Sequence, residues 1–318
     1  MNTRQLVDPD LLPMLDSIPT VVISEDNLAI FREQMAAMAQ VQQLPAGGRV
    51  ESKMIPGMEG DPEVRLLLFT PDGPVRKRPA MLHLHGGGFV MGGAADCSLE
   101  CAMRAKAQDC VIAAVDYRLA PETPFPGPLR DCYAALTWLN DNADELGIDA
   151  ENIAVSGASA GGGLAAALCL AVRDWGGAQV SALFMIYPML DDRTGTDQAR
   201  VHNAYAGEFM WTAESNRFGW SAMRGDRQPI EQAHLFSPAR AETLTGMPPT
   251  FIAVGALDLF VDEDIEFSRR LISEGVPTEL RVYPGAFHGF DLGETPIALR
   301  CRHDLEAAIA RAIQRGGA

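Results

Sequence analysis

From about residue 62 onward, short apolar runs alternate with longer amphipathic ones, and few folds accept that rhythm. Apolar or period-two runs predict strands at 64–70, 80–85, 111–115, 153–156, 182–187, 250–254 and 279–283. Helical spacing between them predicts helices at 98–107, 129–145, 160–174, 262–274 and 296–315. Several strands are almost wholly apolar, as strands are when both faces of a sheet are covered. The expected class is therefore α/β, with a mainly parallel central sheet flanked by helices. In the last helix, Leu299, Ala307, Ile309 and Ile313 form the expected sheet-facing stripe.

Two stretches lie outside the rhythm. Residues 1–45 carry helical patterns led by Pro9 and Asp26 before any predicted strand. Residues 190–235 insert Phe209, Met210, Trp211, Phe218, Trp220 and Met223 between two strands. Such aromatic stripes serve either as extra core or as a lid over the C-terminal edge of the sheet, and both readings stand at this level. At 318 residues and 47% hydrophobic, the chain is long enough for one large core. It divides into a sheet-bearing domain (46–189 and 236–318), an N-terminal cap segment (1–45) and a cap insertion (190–235).

Chemistry concentrates where predicted strands end. Gly157-Ala158-Ser159-Ala160-Gly161 follows the apolar run Ile153-Ala154-Val155 and opens a helix. A nucleophile on so sharp a turn needs small neighbours, because its backbone is strained and the adjacent chain passes close. The helix N-terminus adds free N–H groups and partial positive charge beside a developing oxyanion. Alone the pattern is weak evidence, since average residue usage yields it in roughly one chain of this length in ten.

His85-Gly86-Gly87-Gly88 directly follows the apolar run at 81–84. Consecutive glycines let the backbone approach a ligand and aim N–H groups at it. A glycine triplet followed about 70 residues later by a serine turn is the order found in acyl-transfer enzymes. The N–H groups of Gly87, Gly88 and Ala160 are the expected oxyanion hole. A phosphate-binding loop fits poorly, because the Lys-Ser/Thr ending and dinucleotide glycine spacing are both missing.

A serine triad also needs an acid and then a histidine, in that chain order. Asp258 lies just past the strand at 250–254, and His288 just past the strand at 279–283. Both fall where an α/β sheet builds its sites. Asp262 and Asp264 begin the next predicted helix, where carboxylates are expected as caps. His83 alternates with His85 on a buried strand and reads as a core or supporting residue. His202, His234 and His303 read as structural or solvated.

The formal net charge of -16 makes nucleic acid and anionic membranes poor partners. No stretch approaches the length of a membrane span. The N-terminus lacks the basic start and apolar run of a signal peptide, so the cytoplasm is the expected location. Cys97, Cys101, Cys110, Cys132, Cys169 and Cys301 are dispersed and read as small apolar residues rather than disulfide or metal partners.

Taken together, these motifs resemble the hormone-sensitive-lipase family of microbial esterases (bacterial family IV). The likeness runs through His85-Gly86-Gly87-Gly88-Phe89 and Asp116-Tyr117-Arg118-Leu119-Ala120-Pro121-Glu122. It continues through Pro124-Phe125-Pro126, the serine turn, Asp258 with Asp262-Glu263, and His288-Gly289-Phe290. The resemblance implies an α/β-hydrolase fold with a helical cap, cofactor-free hydrolysis of short- to medium-chain carboxylic esters, and a homodimer. Two positions depart from it: Ala158 stands where members carry Asp or Thr, and Leu259 where they carry Pro.

The implied reaction is two-step acyl transfer to water, with Ser159 as nucleophile, His288 as base and Asp258 orienting it. Phe89, Phe209, Met210 and Trp211 are expected to bind the ester substrate, without metal or organic cofactor. Arg118 and Glu122 are expected to pair and brace the site loops. An amidase or peptidase would use the same triad, separated only by leaving group and pocket shape. A non-catalytic ligand receptor on this fold generally lacks a triad member, and here all three are present.

Overall fold

The computed structural model describes residues 2–18, 20–40, 43–74, 76–226 and 231–315. Eight described strands form one sheet: β1 Gly48–Ile55, β2 Val64–Pro71, β3 Arg78–Leu84, β4 Val111–Asp116, β5 Ile148–Ala158, β6 Leu183–Ile186, β7 Thr250–Gly255 and β8 Thr278–Tyr283. Their spatial order is β1-β2-β4-β3-β5-β6-β7-β8. β2 runs antiparallel to both of its neighbours, and all other pairs are parallel.

The helices are α1 Leu12–Ser17, α2 Leu28–Gln40, α3 Ser98–Gln108, α4 Gly127–Asp141, α5 Ala143–Leu146, α6 Ala160–Trp175, α7 Ala213–Arg224, α8 Ala233–Phe236, α9 Val261–Ser273 and α10 Pro296–Arg315. Because side chains alternate along a strand, the sheet feeds two separate cores. Leu66, Leu82, Ala113, Val155 and Met185 pack with α4 and α6. Their neighbours Leu67, Met81, Ile112, Ala154 and Phe184 pack with α3 and α10 on the other face. Both faces are covered, which explains the near-continuous apolar runs of the central strands.

The connections decide where a site can form. From β3 the chain crosses to β4 on one side, then returns through α4 to β5 on the other. The crevice at the C-terminal ends of β3 and β5 is thus a topological switch point, where open α/β sheets bind ligands.

Several sequence expectations need correction. β1 was not expected, because seven of its eight residues are not buried and no apolar face marks it. The helix expected at 129–145 begins at Gly127 and breaks after Asp141 into α4 and α5. Leu299 is 48% exposed, whereas Ile309 of the expected stripe is buried, together with Ile297, Ala298, Cys301, Leu305 and Ala308. All six cysteines are free thiols, five of them buried.

The two stretches outside the rhythm come together over the sheet's C-terminal edge. The Ile23 N–H donates to Ser215 Oγ on α7 at 3.0 Å, and the Thr3 hydroxyl donates to Glu208 at 2.7 Å. Arg32 of α2 donates to the carbonyls of Val90 (2.7 Å) and Ala120 (2.9 Å) and pairs with Glu122. The expected Arg118–Glu122 pair is therefore absent among these contacts: Arg118 is held by the nearly fully buried Asp131 at 2.6 Å and by Asp61. Trp220 and Met223 of α7 are buried in the core, so the 190–235 segment supplies core as well as cover; its residues 227–230 lie outside the described ones.

Candidate active site

β5 ends in a sharp turn that Ser159 takes with φ 56° and ψ −123°, before α6 begins at Ala160. A non-glycine residue in that region is strained by roughly 1–3 kcal/mol, a load that surrounding bonds must carry. The Ser159 N–H donates to the Ile186 carbonyl at 2.9 Å, and its own carbonyl accepts from Met189 and Gly163, each at 3.0 Å. Gly161 is required sterically, since a Cβ there would sit 2.1 Å from the Leu84 carbonyl oxygen.

His288 follows β8 and bridges the other two groups. Its Nδ1 lies 2.8 Å from Asp258 Oδ2, and its Nε2 lies 3.0 Å from Ser159 Oγ. A carboxylate only accepts, so Nδ1–H donates to Asp258 and the Nε2 lone pair accepts the Ser159 hydroxyl proton. Asp258 is fully buried and also accepts the Phe260 N–H at 3.0 Å. Three elements brought by three strands thus hold one hydrogen-bonded line of the kind that activates a serine.

On the other side of Ser159, Gly87 (φ 114°) and Gly88 (φ 60°) curl the loop after β3 toward the turn. The N–H of Ala160 opens α6 and has no helical acceptor. A Cβ on Gly88 would meet the Trp211 ring at 2.2 Å, so glycine is what lets Trp211 approach the loop here.

The loop is braced from below. His85 stacks flat on Tyr117 (centroids 4.0 Å, 3° between planes), and the Tyr117 hydroxyl donates to the His85 carbonyl at 2.7 Å. Burial pushes His85 down to about 4, so it is neutral near pH 7, and its Nδ1 sits 2.7 Å from the Gly86 carbonyl. His83, likewise pushed down to about 4 by burial, bonds to Ser156 Oγ at 2.9 Å and ties β3 to β5.

The residues expected to contact substrate separate into two groups. The Trp211 ring lies 6.3 Å from the His288 ring, and Met210 Cε approaches Gly289. Phe209 instead packs on Phe287, and Phe89 is only 2% exposed beneath Trp220. Tyr187 and Phe260, which the motif reading passed over, pack on His288 at 4.4 and 5.3 Å. The signal available for Tyr187 was an aromatic residue followed by Pro188 at the end of an apolar strand.

A cavity of about 670 Å³ opens beside the triad, between the 194–206 segment and the start of α9. Leu259, the neighbour of Asp258, lines it, together with Asp262, Glu263, Phe267 and Arg270. None of Ser159, Asp258, His288, Phe209, Met210 or Trp211 does. Asp262 and Asp264 are not helix caps: Asp262 accepts from Asn203 at 2.9 Å, and both Asp264 oxygens are buried without a partner among the described residues.

Comparison with known proteins places this arrangement in context. A family model of the alpha/beta hydrolase fold matches residues 81–292. Esterase LipI of Mycobacterium tuberculosis is 32% identical over 291 residues, 91% of this chain and 89% of that protein. Carboxylesterase NlhH of the same organism is 29% identical over 90% of this chain and 89% of its own length. The solved structure of a bacterial heroin esterase superposes with a TM-score of 0.91 at 36% identity, covering 98% of this chain and 99% of that one.

Proposed function

This chain belongs to the hormone-sensitive-lipase family of α/β-hydrolase-fold esterases and is a carboxylic ester hydrolase; we propose that it cleaves short- to medium-chain esters through an acyl-enzyme on Ser159. The observation that carries this reading is the unbroken line from Ser159 Oγ through His288 (3.0 Å) to Asp258 (2.8 Å).

In the first step Ser159 Oγ attacks the ester carbonyl while His288 Nε2 takes its proton. The carbonyl oxygen becomes an oxyanion and accepts from the N–H groups of Gly87, Gly88 and Ala160. Asp258 holds the imidazole in orientation and stabilises its protonated form. The tetrahedral intermediate collapses, and the alcohol leaves with the proton from His288. Water, deprotonated by the same nitrogen, then attacks the acyl-enzyme; the second tetrahedral intermediate collapses, Ser159 Oγ leaves with the proton from His288, and the acid is released. Met210 and Trp211 wall the acyl or alcohol side next to His288, which favours compact substrates over long chains.

Two further readings accompany this one. β8 is an edge strand, and antiparallel pairing along it is the route by which two copies would form a homodimer. No described helix is long and apolar enough to cross a membrane. Six free thiols suit a reducing compartment, so we place the protein in the cytoplasm.

The test is a series of p-nitrophenyl esters from acetate to palmitate, with the matching acetanilide, on wild type and Ser159→Ala. Activity should peak among the shorter chains, the anilide should be poor, and Ser159→Ala should lose roughly 10⁴-fold or more. An alanine variant that keeps wild-type turnover removes the serine mechanism altogether.

A further inference from the structure

The triad loops emerge from β5, β7 and β8, while β6 lies between β5 and β7 and supplies none of its members. Its end nevertheless touches two of them. The Ile186 carbonyl accepts the Ser159 N–H at 2.9 Å, and the Met189 N–H donates to the Ser159 carbonyl at 3.0 Å. Between those contacts, the Tyr187 ring packs against the His288 ring with centroids 4.4 Å apart. The Tyr187 hydroxyl donates at 2.6 Å to Asp291, three residues past His288 in the same loop. We infer that Tyr187 is a positioning residue for this hydrolase: one four-residue segment fixes the nucleophile by its backbone and the general base by the Tyr187 ring and hydroxyl.

Three observations support this assignment. Tyr187 is one of six described non-glycine residues with positive φ, at 37°, and its N–H is anchored to the Ala253 carbonyl at 2.6 Å. Four of the six (Phe89, Ser159, Tyr187 and Met210) lie around the site, which is where strained backbone is retained. The ring has little freedom, being buried against Phe290 as well as His288. Finally, burial followed by the adjacent Asp291 pushes the Tyr187 phenol well above its usual range, so it stays a proton donor to that carboxyl group.

The consequence is a division of labour around the imidazole. Asp258 fixes its Nδ1 edge, whereas Tyr187, its ring tilted 53° to the imidazole, packs against it and restrains its rotation, with Phe260 edge-on at 5.3 Å. The Nε2–Oγ distance of 3.0 Å then depends on both supports. A displacement of about 1 Å at such a contact costs on the order of 10²-fold in rate.

This inference rests on the triad reading, so Ser159→Ala and wild type are run alongside. The variants are Tyr187→Phe, which keeps the ring and loses the anchor, Tyr187→Leu, which loses both, and Asp291→Asn. The readouts are kcat and KM on p-nitrophenyl butyrate, thermal midpoint, and the downfield proton NMR resonance of the His288–Asp258 hydrogen bond. Tyr187→Leu should lower kcat by about 10–10²-fold and shift or broaden that resonance, with KM within about twofold. Tyr187→Phe and Asp291→Asn should lower kcat a few-fold, and they carry the test should Tyr187→Leu fail to fold. Folded variants with wild-type kcat and an unmoved resonance overturn the assignment, as does a loss confined to KM. An inactive wild type, or an active Ser159→Ala, would instead overturn the triad reading.

Discussion

The loop after β7 and the first turn of α9 lie side by side, yet they treat their carboxylates in opposite ways. In the loop, Asp258 is fully buried and its oxygens accept from His288 and from the Phe260 N–H. In the helix, Asp264 is equally buried, and neither of its oxygens has a hydrogen-bond partner among the described residues. Glu263 stands between these extremes, with Oε1 accepting from the Leu190 N–H (2.6 Å) and the Asp191 N–H (3.1 Å), and Oε2 bonded to the Thr194 hydroxyl. Burial by itself therefore does not mark a working acid. What distinguishes Asp258 is a partner that moves a proton, and what distinguishes Glu263 is a set of donors belonging to the cap.

The largest effect expected from breaking this contrast is at Asp258. Asp258→Asn keeps the volume but presents an amide to His288, and the ring loses its orienting acceptor. Ester hydrolysis should fall by about 10⁴-fold in kcat while the protein remains folded. Kinetics beside a thermal melt check this; a fall below tenfold would leave Asp258 no more special than its neighbours.

The same contrast shows what was legible in the sequence. Ser159, Asp258, His288 and the glycine loop were readable because each directly follows an apolar strand, and an α/β sheet collects such loops along one edge. Arg118 and Glu122 sit four apart and looked like a pair, but no helix covers that stretch to bring them to one face. Their partners come instead from Asp61 and Asp131 and from Arg32 of α2. Asp264 looked like an ordinary first-turn carboxylate, because sequence position does not reveal which way a helix faces. β1 escaped notice since its pairing depends on backbone bonds rather than on an apolar face. Tyr187 escaped because its role depends on the distance between two loops.

Glu263 should show the next largest effect. Burial, then the nearby Asp191, raises its pKa well above the usual carboxylate range, so its neutral form is what bonds the cap segment. Glu263→Ala strands the Leu190 and Asp191 N–H groups and should cost about 1–3 kcal/mol in chemical denaturation. Glu263→Gln keeps an acceptor for both N–H groups and, like the neutral carboxyl, a donor toward Thr194, so it should retain most of that stability. Equal losses in the two variants would mean that packing, not hydrogen bonding, is what Glu263 supplies.

Asp264 should behave in the reverse sense. Burial, then the Glu263 and Asp258 carboxyl groups, pushes its pKa well above the usual range, so the folded protein keeps it protonated. The unfolded chain releases that proton above about pH 4, and from there upward the folded state binds more protons than the unfolded one. Stability due to this group therefore falls as pH rises, until the folded group itself ionises. Asp264→Asn cannot ionise, so it should match the wild type near pH 4 and exceed it by a margin that widens toward pH 7. Melts across pH 4–8 read the widening gap, and a gap that stays constant would mean that Asp264 is charged in the folded protein.

The smallest effect belongs to Asp262, which faces the side cavity and accepts one bond from Asn203 at 2.9 Å. It shares the first turn of α9 with Glu263 and Asp264 but is only half-buried, so water replaces the lost partner at little cost. Asp262→Ala should change stability by about 0.5–1 kcal/mol and leave kcat within about twofold. The informative outcome is a kcat loss of tenfold or more with stability unchanged. Leu259 lines the same cavity as Asp262 and adjoins Asp258, so such a loss would mean that the cavity wall transmits strain to the catalytic acid. An unchanged kcat would show that the bonds on Asp258, from His288 at 2.8 Å and Phe260 at 3.0 Å, insulate it from the helix behind.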